Sequence, residues 1–106
     1  IISNFSKNGI LATGDTLTVN IHDNTIVGPG TIGPENAPNG IVLVRGVAGS
    51  ITSNQIYGLH YNGAKSRSAG IMVYDRCVPG IIVEKNEVYD ADTGVMMLIH
   101  QRRDIN

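Results

Sequence analysis

Three segments of this chain begin alike, and each meets an asparagine about fifteen residues later. They are Asn8-Gly9-Ile10-Leu11-Ala12 with Asn24, Asn39-Gly40-Ile41-Val42-Leu43 with Asn54, and Ala69-Gly70-Ile71-Met72-Val73 with Asn86. A fourth start stands at Thr93-Gly94-Val95-Met96-Met97. The apolar spacing around each asparagine recurs too, as Ile21 and Ile26, Ile51 and Ile56, Val83 and Val88. Ile1, Asn4 and Ser6 read as the tail of an earlier unit, with Ser6 where an apolar residue is due. Self-similarity of this kind outranks local signals, because each unit is one supersecondary piece that buries its apolar face only against its neighbours.

Inside a unit the apolar residues alternate: Ile10/Ala12, Ile41/Leu43, Ile71/Val73 and Val95/Met97, then Val19/Ile21 and Ile81/Val83. That is the period of a strand and not of a helix. Helical-hairpin repeats would need i, i+3, i+4 runs, and leucine-rich repeats a framework that 5 Leu cannot supply. Glycine-to-glycine intervals of 31, 30 and 24 residues are too long for a hairpin and too strand-like for βαβ units. They suit one coil of three short strands in a solenoid, each strand parallel to its counterpart in the next coil. Composition agrees, since Ile and Val number 24 against 17 for Leu, Ala, Glu and Lys together. Gly and Asn add 23 residues that tolerate the positive φ of tight corners.

The expected fold is therefore all-β, a parallel solenoid of about four coils. Its inner core should run through Ile10, Ile41, Ile71 and Val95, through Ile21, Ile51 and Val83, and through Ile26, Ile56 and Val88, with Leu43 and Val73 beside them. Stacked Asn24, Asn54 and Asn86 should form an amide ladder inside a turn, a structural role, because a buried corner amide needs partners.

The 106 residues make a single domain, read as 1–106 and as trimmed from something longer, since neither an initiator Met nor a secretory leader stands at Ile1-Ile2-Ser3-Asn4. A net charge of −1 without a Lys/Arg stripe argues against nucleic acid. The longest apolar run, Val95 to Ile99, is 5 residues, far short of the ~20 of a membrane helix. A lone Cys77 excludes an intrachain disulfide and a multi-Cys zinc site, and is read as a small buried hydrophobe. His22 and His60 have no fixed partner spacing and Asp90-Ala91-Asp92 lacks the rest of a calcium loop, so neither metal nor cofactor is expected. Asn4-Phe5-Ser6 matches a glycosylation acceptor but has no leader to support it. The compartment is left open.

From Ile1 to about Ile99 the pattern resembles the right-handed parallel β-helix proteins of the pectin-lyase-like superfamily, whose coils often read G-I-x-V…I-x-x-N-x-I. The resemblance implies that fold and a polysaccharide as partner. It does not imply an activity, because the architecture serves lyases, hydrolases, epimerases, tailspikes and adhesins alike. In pectinolytic members, carboxylates, bound calcium or an essential Arg project outward from the first sheet. Here the outward positions are Leu11 and Thr13, Val42 and Val44, Met72 and Tyr74, Met96 and Leu98, nearly all apolar. The Asp-Asp pair and Gly-His-Gly of the polygalacturonase pattern are missing as well, so no catalytic residue is assigned.

Two features remain as sites. Asn24 to Gly40 and Asn54 to Gly70 each span 16 residues but Asn86 to Gly94 only 8, so two consecutive coils carry insertions at one corner. The first insertion is about Gly28 to Pro38, and the second, Gly58 to Ser68, carries His60, Tyr61, Lys65 and Arg67. Beside them should come Tyr57 and Tyr89, then Asp90 and Asp92. Aromatic faces, cations and carboxylates on one rim suit a sugar, acidic ones included.

The second feature is the apolar outer column of Leu11, Val42, Met72 and Met96, flanked by Val44, Tyr74 and Leu98. A parallel sheet that is hydrophobic on both sides must be covered on both. About 400 Å² of such surface exceeds what monomers usually expose, so a homo-oligomer or a flanking domain is expected to cover it. A further set after the repeated glycine, Arg45, Asp75, Arg76 and His100, reads as plain surface charge pairs.

Overall fold

Each repeat folds into three strands. In chain order the first holds β1 (Asn8–Thr13), β2 (Thr18–His22) and β3 (Thr25–Ile32). The second holds β4 (Asn39–Val44), β5 (Ala48–Thr52) and β6 (Gln55–Tyr61), and the third β7 (Ala69–Tyr74), β8 (Ile82–Glu84) and β9 (Glu87–Ala91). β10 (Thr93–Leu98) begins the fourth. These elements come from a computed structural model that describes residues 1–14, 17–33, 35–63, 67–74 and 81–98. Among the described residues there is no helix, and the strands form three parallel sheets, β1–β4–β7–β10, β2–β5–β8 and β3–β6–β9. The protein is all-β, and every strand lies beside its counterpart one repeat away.

The register follows the sequence repeat. Ile10, Ile41, Ile71 and Val95 form one inward column, Ile21, Ile51 and Val83 a second, Ile26, Ile56 and Val88 a third. Ile26, Ile41, Ile51, Ile56 and Ile71 have no exposed surface, while Val83 and Val88 are partly buried. At the ends of the stack the columns open. Val95 is 46 % exposed and Met97 57 %, because β10 has a strand on one side only. Val47 and Leu59, outside the alternating pattern, are also wholly buried.

The N-terminal segment is set differently from the sequence alignment. Ile2, not Ser6, lies against Ile26, with Ile2 N–H donating to Thr25 O and Val27 N–H to Ile2 O, both at 2.9 Å. An apolar column accepts an Ile and penalises a hydroxyl, so the chain slides by four residues and Phe5 packs against the core.

The asparagine ladder is present at the corner between the second and third strands of each repeat. Asn24 Nδ2 donates to Asn54 Oδ1 at 3.0 Å, and Asn54 Nδ2 to Asn86 Oδ1 at 2.9 Å. Backbone N–H groups join in: Asn24 N donates to Asn54 Oδ1 and Asn54 N to Asn86 Oδ1. The residues just before, Asp23, Ser53 and Lys85, hold φ of 57°, 57° and 59°. A left-handed residue followed by an amide that caps the preceding repeat is what turns the chain between sheets at each level.

Candidate functional site

The third sheet, β3–β6–β9, presents the chemistry. Val27, Tyr57 and Tyr89 fall in one register row on its outer face. The rings of Tyr57 and Tyr89 stack at 4.8 Å between centroids with planes 10° apart, since that distance is the strand spacing itself. Tyr89 is 43 % exposed. One row earlier stand Thr25, Gln55 and Glu87, and Gln55 Nε2 reaches both Glu87 Oε1 and the Tyr89 hydroxyl at 3.3 Å. Partial burial, with Tyr57 and Glu87 nearby, raises the Tyr89 phenol above its ordinary value, so it stays protonated. Gln55 and Glu87 were not among the residues singled out from the sequence, although both directly follow the repeated asparagine and are in that sense locatable.

Beyond the tyrosines the sheet bulges. The pairing skips between Val27 and Gly30, and Gly58 takes φ of 83°. Gly28 must be glycine here, because a Cβ would lie 2.2 Å from Gly58 O and 2.5 Å from Leu59 Cδ2. In the third repeat the place of Gly58 is taken by Asp90, at φ of 53°. A non-glycine residue in this region carries about 1–2 kcal/mol of strain, although Asp tolerates it better than most.

Asp90, turned by its positive φ, meets His60 of the neighbouring strand. His60 Nε2 stands 2.8 Å from Asp90 Oδ1 and Nδ1 2.9 Å from Asp92 Oδ1. Two ring nitrogens, each against a carboxylate oxygen, are both satisfied as donors only by the imidazolium. The hydrogen bonds to Asp90 and then Asp92 outweigh burial and raise the His60 pKa. For Asp92 burial pushes upward, but the N–H groups of Ser68 and Tyr61, together with His60, prevail and hold its carboxyl below the ordinary range. The His60 side chain is 32 % exposed, Asp92 24 % and Asp90 64 %.

Asp92 also closes the second insertion. Its Oδ2 accepts from Tyr61 N–H at 2.9 Å and from Ser68 N–H at 3.0 Å, tying both ends of the loop to one carboxylate. The two insertions run side by side: Thr31 pairs with His60, Ile32 with Tyr61, and Asn62 N–H donates to Ile32 O. Arg67 is exposed at the loop's end and has a partner of its own, whereas Lys65 lies outside the described residues. Tyr57, His60, Tyr61, Tyr89, Asp90 and Asp92 are thus brought to one corner. The buried Ser68 hydroxyl, which has no hydrogen-bond partner among the described residues, carried no sequence signal. Nor do the described residues hold a group of His, Cys, Asp and Glu placed to bind a metal ion.

On the first sheet Leu11, Val42, Met72 and Met96 do share a row, and Leu98 pairs with Tyr74 in the next. The column is less open than the sequence suggested. Leu11 is 55 % exposed but Val42 only 4 %, while Val44, Met72 and Met96 are half-buried. A short β-branched side chain between longer ones, at strand spacing, is screened by them. Arg45 is exposed at φ of 65°, and Asp75, Arg76, Cys77 and His100 lie outside the described residues.

Comparison of the chain with protein-family models, with curated proteins and with solved structures finds no match. The functional reading therefore rests on the geometry of the third sheet.

Proposed function

We propose that the chain is a right-handed parallel β-helix of about four coils, of the pectin-lyase-like kind, and that it binds a polysaccharide on the outer face of its third sheet. The observation that carries this is the stacked pair of Tyr57 and Tyr89, half-open to water between two rows of hydrogen-bonding groups, Gln55/Glu87 and His60/Asp92. Sugar rings lie on aromatic faces while polar side chains at the edge fix their hydroxyls. Three parallel sheets with one strand per repeat support the architecture. No catalytic residue is assigned, and the reading proposed is of sugar binding by the tyrosine face. Titration of the protein with a panel of oligosaccharide hexamers tests the reading. At least one should bind, and Tyr89→Ala should abolish that binding with the fold intact.

A second reading attaches to the first sheet, whose outer row of Leu11, Val42, Met72 and Met96 is apolar throughout. There the chain would be a structural solenoid that associates with a second copy. Light scattering distinguishes it: Leu11→Asp should turn an oligomer into a monomer.

A further inference from the structure

The hydrogen-bond inventory of the tyrosine face says which sugars it can take. Both hydrogens of Gln55 Nε2 are engaged, on Glu87 and on the Tyr89 hydroxyl. Both N–H groups of the His60 imidazolium are engaged as well, on Asp90 and Asp92. No side-chain N–H of the sheet face is left over among the described residues. What stays open, besides the hydroxyls of Thr25 and Tyr57 and the O–H of Tyr89, is a set of acceptors: Gln55 Oε1, Glu87 Oε2 and Asp90 Oδ2. Each carboxylate is anchored through one oxygen and has no partner on the other among the described residues. Glu87 and Asp90 flank Tyr89 on either side in sequence and are both exposed.

From this we infer that the tyrosine face selects sugars that donate hydrogen bonds and rejects uronates, so that a glucosamine oligomer binds best, a neutral glucose oligomer next and a galacturonate oligomer worst. The inference rests on the sugar-binding reading above and narrows it. A carboxylate-bearing sugar stacked on Tyr89 finds no free cationic donor on the sheet face among the described residues and meets two like charges. A neutral sugar gives its hydroxyls to Glu87 and Asp90. An ammonium group adds attraction to both carboxylates and to the ring face. Arg67 and Lys65 belong to the neighbouring loop, and Arg67 already has a partner. Of the loop cations that favour an acidic ligand from the sequence, Lys65 lies outside the described residues and Arg67 is already engaged.

The test is titration of the 106-residue chain at pH 7 and low salt with three β-1,4 or α-1,4 hexamers: glucosamine, glucose and galacturonate. Exposed charge contacts are individually weak, so about tenfold in affinity is expected between successive members. Adding salt should compress the first step. Glu87→Gln with Asp90→Asn removes both like charges and should narrow the gap between glucose and galacturonate from about tenfold to about threefold, read as the ratio of the two affinities within the variant. Galacturonate binding tightest, or Arg67→Ala erasing the order, would overturn the inference and leave the sugar-binding reading standing. If none of the three binds, the sugar-binding reading itself fails for these probes and the inference falls with it.

Discussion

The imidazole of His60 meets the carboxylate of Asp90 at 2.8 Å from the adjacent strand, while its other nitrogen meets Asp92. The geometry is complete only when the ring is protonated, which fixes the sign of its pH dependence. His60 has its folded pKa raised above 6.5, so its contribution to stability is full below 6.5 and is lost as pH rises through the raised value. Asp92 has its folded pKa below 3.8, so its contribution is full above 3.8 and is lost as pH falls through the lowered value. The cluster should thus stabilise the fold most between those two limits. Thermal melts of wild type and His60→Gln from pH 3 to 9 should differ most in that window and converge on the alkaline side. A difference that grows with pH would mean that the neutral ring, and not the imidazolium, makes the stabilising contacts.

Asn54 uses all four hydrogen-bonding positions of its side chain. Its Oδ1 accepts from Asn24 N and Nδ2, and its Nδ2 donates to Ile21 O and Asn86 Oδ1. Asn54→Ala leaves several of these groups buried and unpaired, at about 1–3 kcal/mol each, so a loss of about 3 kcal/mol or more is expected in urea unfolding. Asn24→Ala should cost about 1 kcal/mol, because the Asn24 backbone N–H still reaches Asn54 Oδ1. Equal losses for the two would count against the ladder as the main tie at this corner.

How far the sequence reaches is clear from where it succeeds and stops. The inner columns and the asparagine ladder were legible because they repeat: Ile41 over Ile71, Asn54 over Asn86, each dictated by the same burial. The convergence of His60 with Asp90 and Asp92 was legible as neighbourhood, since an insertion in one repeat faces the strand end of the next. Its bonding was not. It depends on the left-handed backbone of Asp90, at φ of 53° opposite Gly58 and next to the bulge of β3 against β6, which an alternating pattern does not foretell. The exposure of Val95 and the burial of Val42 depend on neighbours that an alternating pattern does not count.

Gly28 and Gly30 make a sharp comparison within that bulge. A methyl at Gly28 collides with the backbone of Gly58, which cannot move without breaking the pairing of β3 with β6. At Gly30 nothing lies within 4 Å, and only its φ of 85° resists a side chain. Gly30→Ala should cost about 1–2 kcal/mol, and Gly28→Ala clearly more, with loss of sugar binding as Tyr57 shifts. Denaturant midpoints for the two variants check the order.

The outer row of the first sheet separates burial from association. Val42→Asp puts a charge where only 4 % of the residue is exposed and should destabilise the monomer by several kcal/mol, of order 3 or more. Leu11→Asp, at 55 % exposure, should leave the melting temperature nearly unchanged. Any effect of Leu11→Asp on light scattering is then an effect on contact between copies and not on folding, which the Val42 variant alone could never establish.

Ser68 offers the opposite case, a substitution expected to do no harm. The residue is fully buried, and its hydroxyl has no partner among the described residues. Its useful contacts are made by the backbone: its N–H donates to Asp92 Oδ2 and its carbonyl accepts from Thr93 N–H at 3.0 Å. Alanine keeps both and removes a buried polar atom that costs free energy to desolvate. Ser68→Ala should therefore be neutral or stabilising by up to about 1 kcal/mol, and should leave sugar binding as it was. Asp92→Ala, which cuts the loop from both its ends and frees one side of His60, should be destabilising by comparison. If Ser68→Ala instead costs more than about 1 kcal/mol, the hydroxyl has a partner of its own, and an ordered water at the loop's base becomes part of the site.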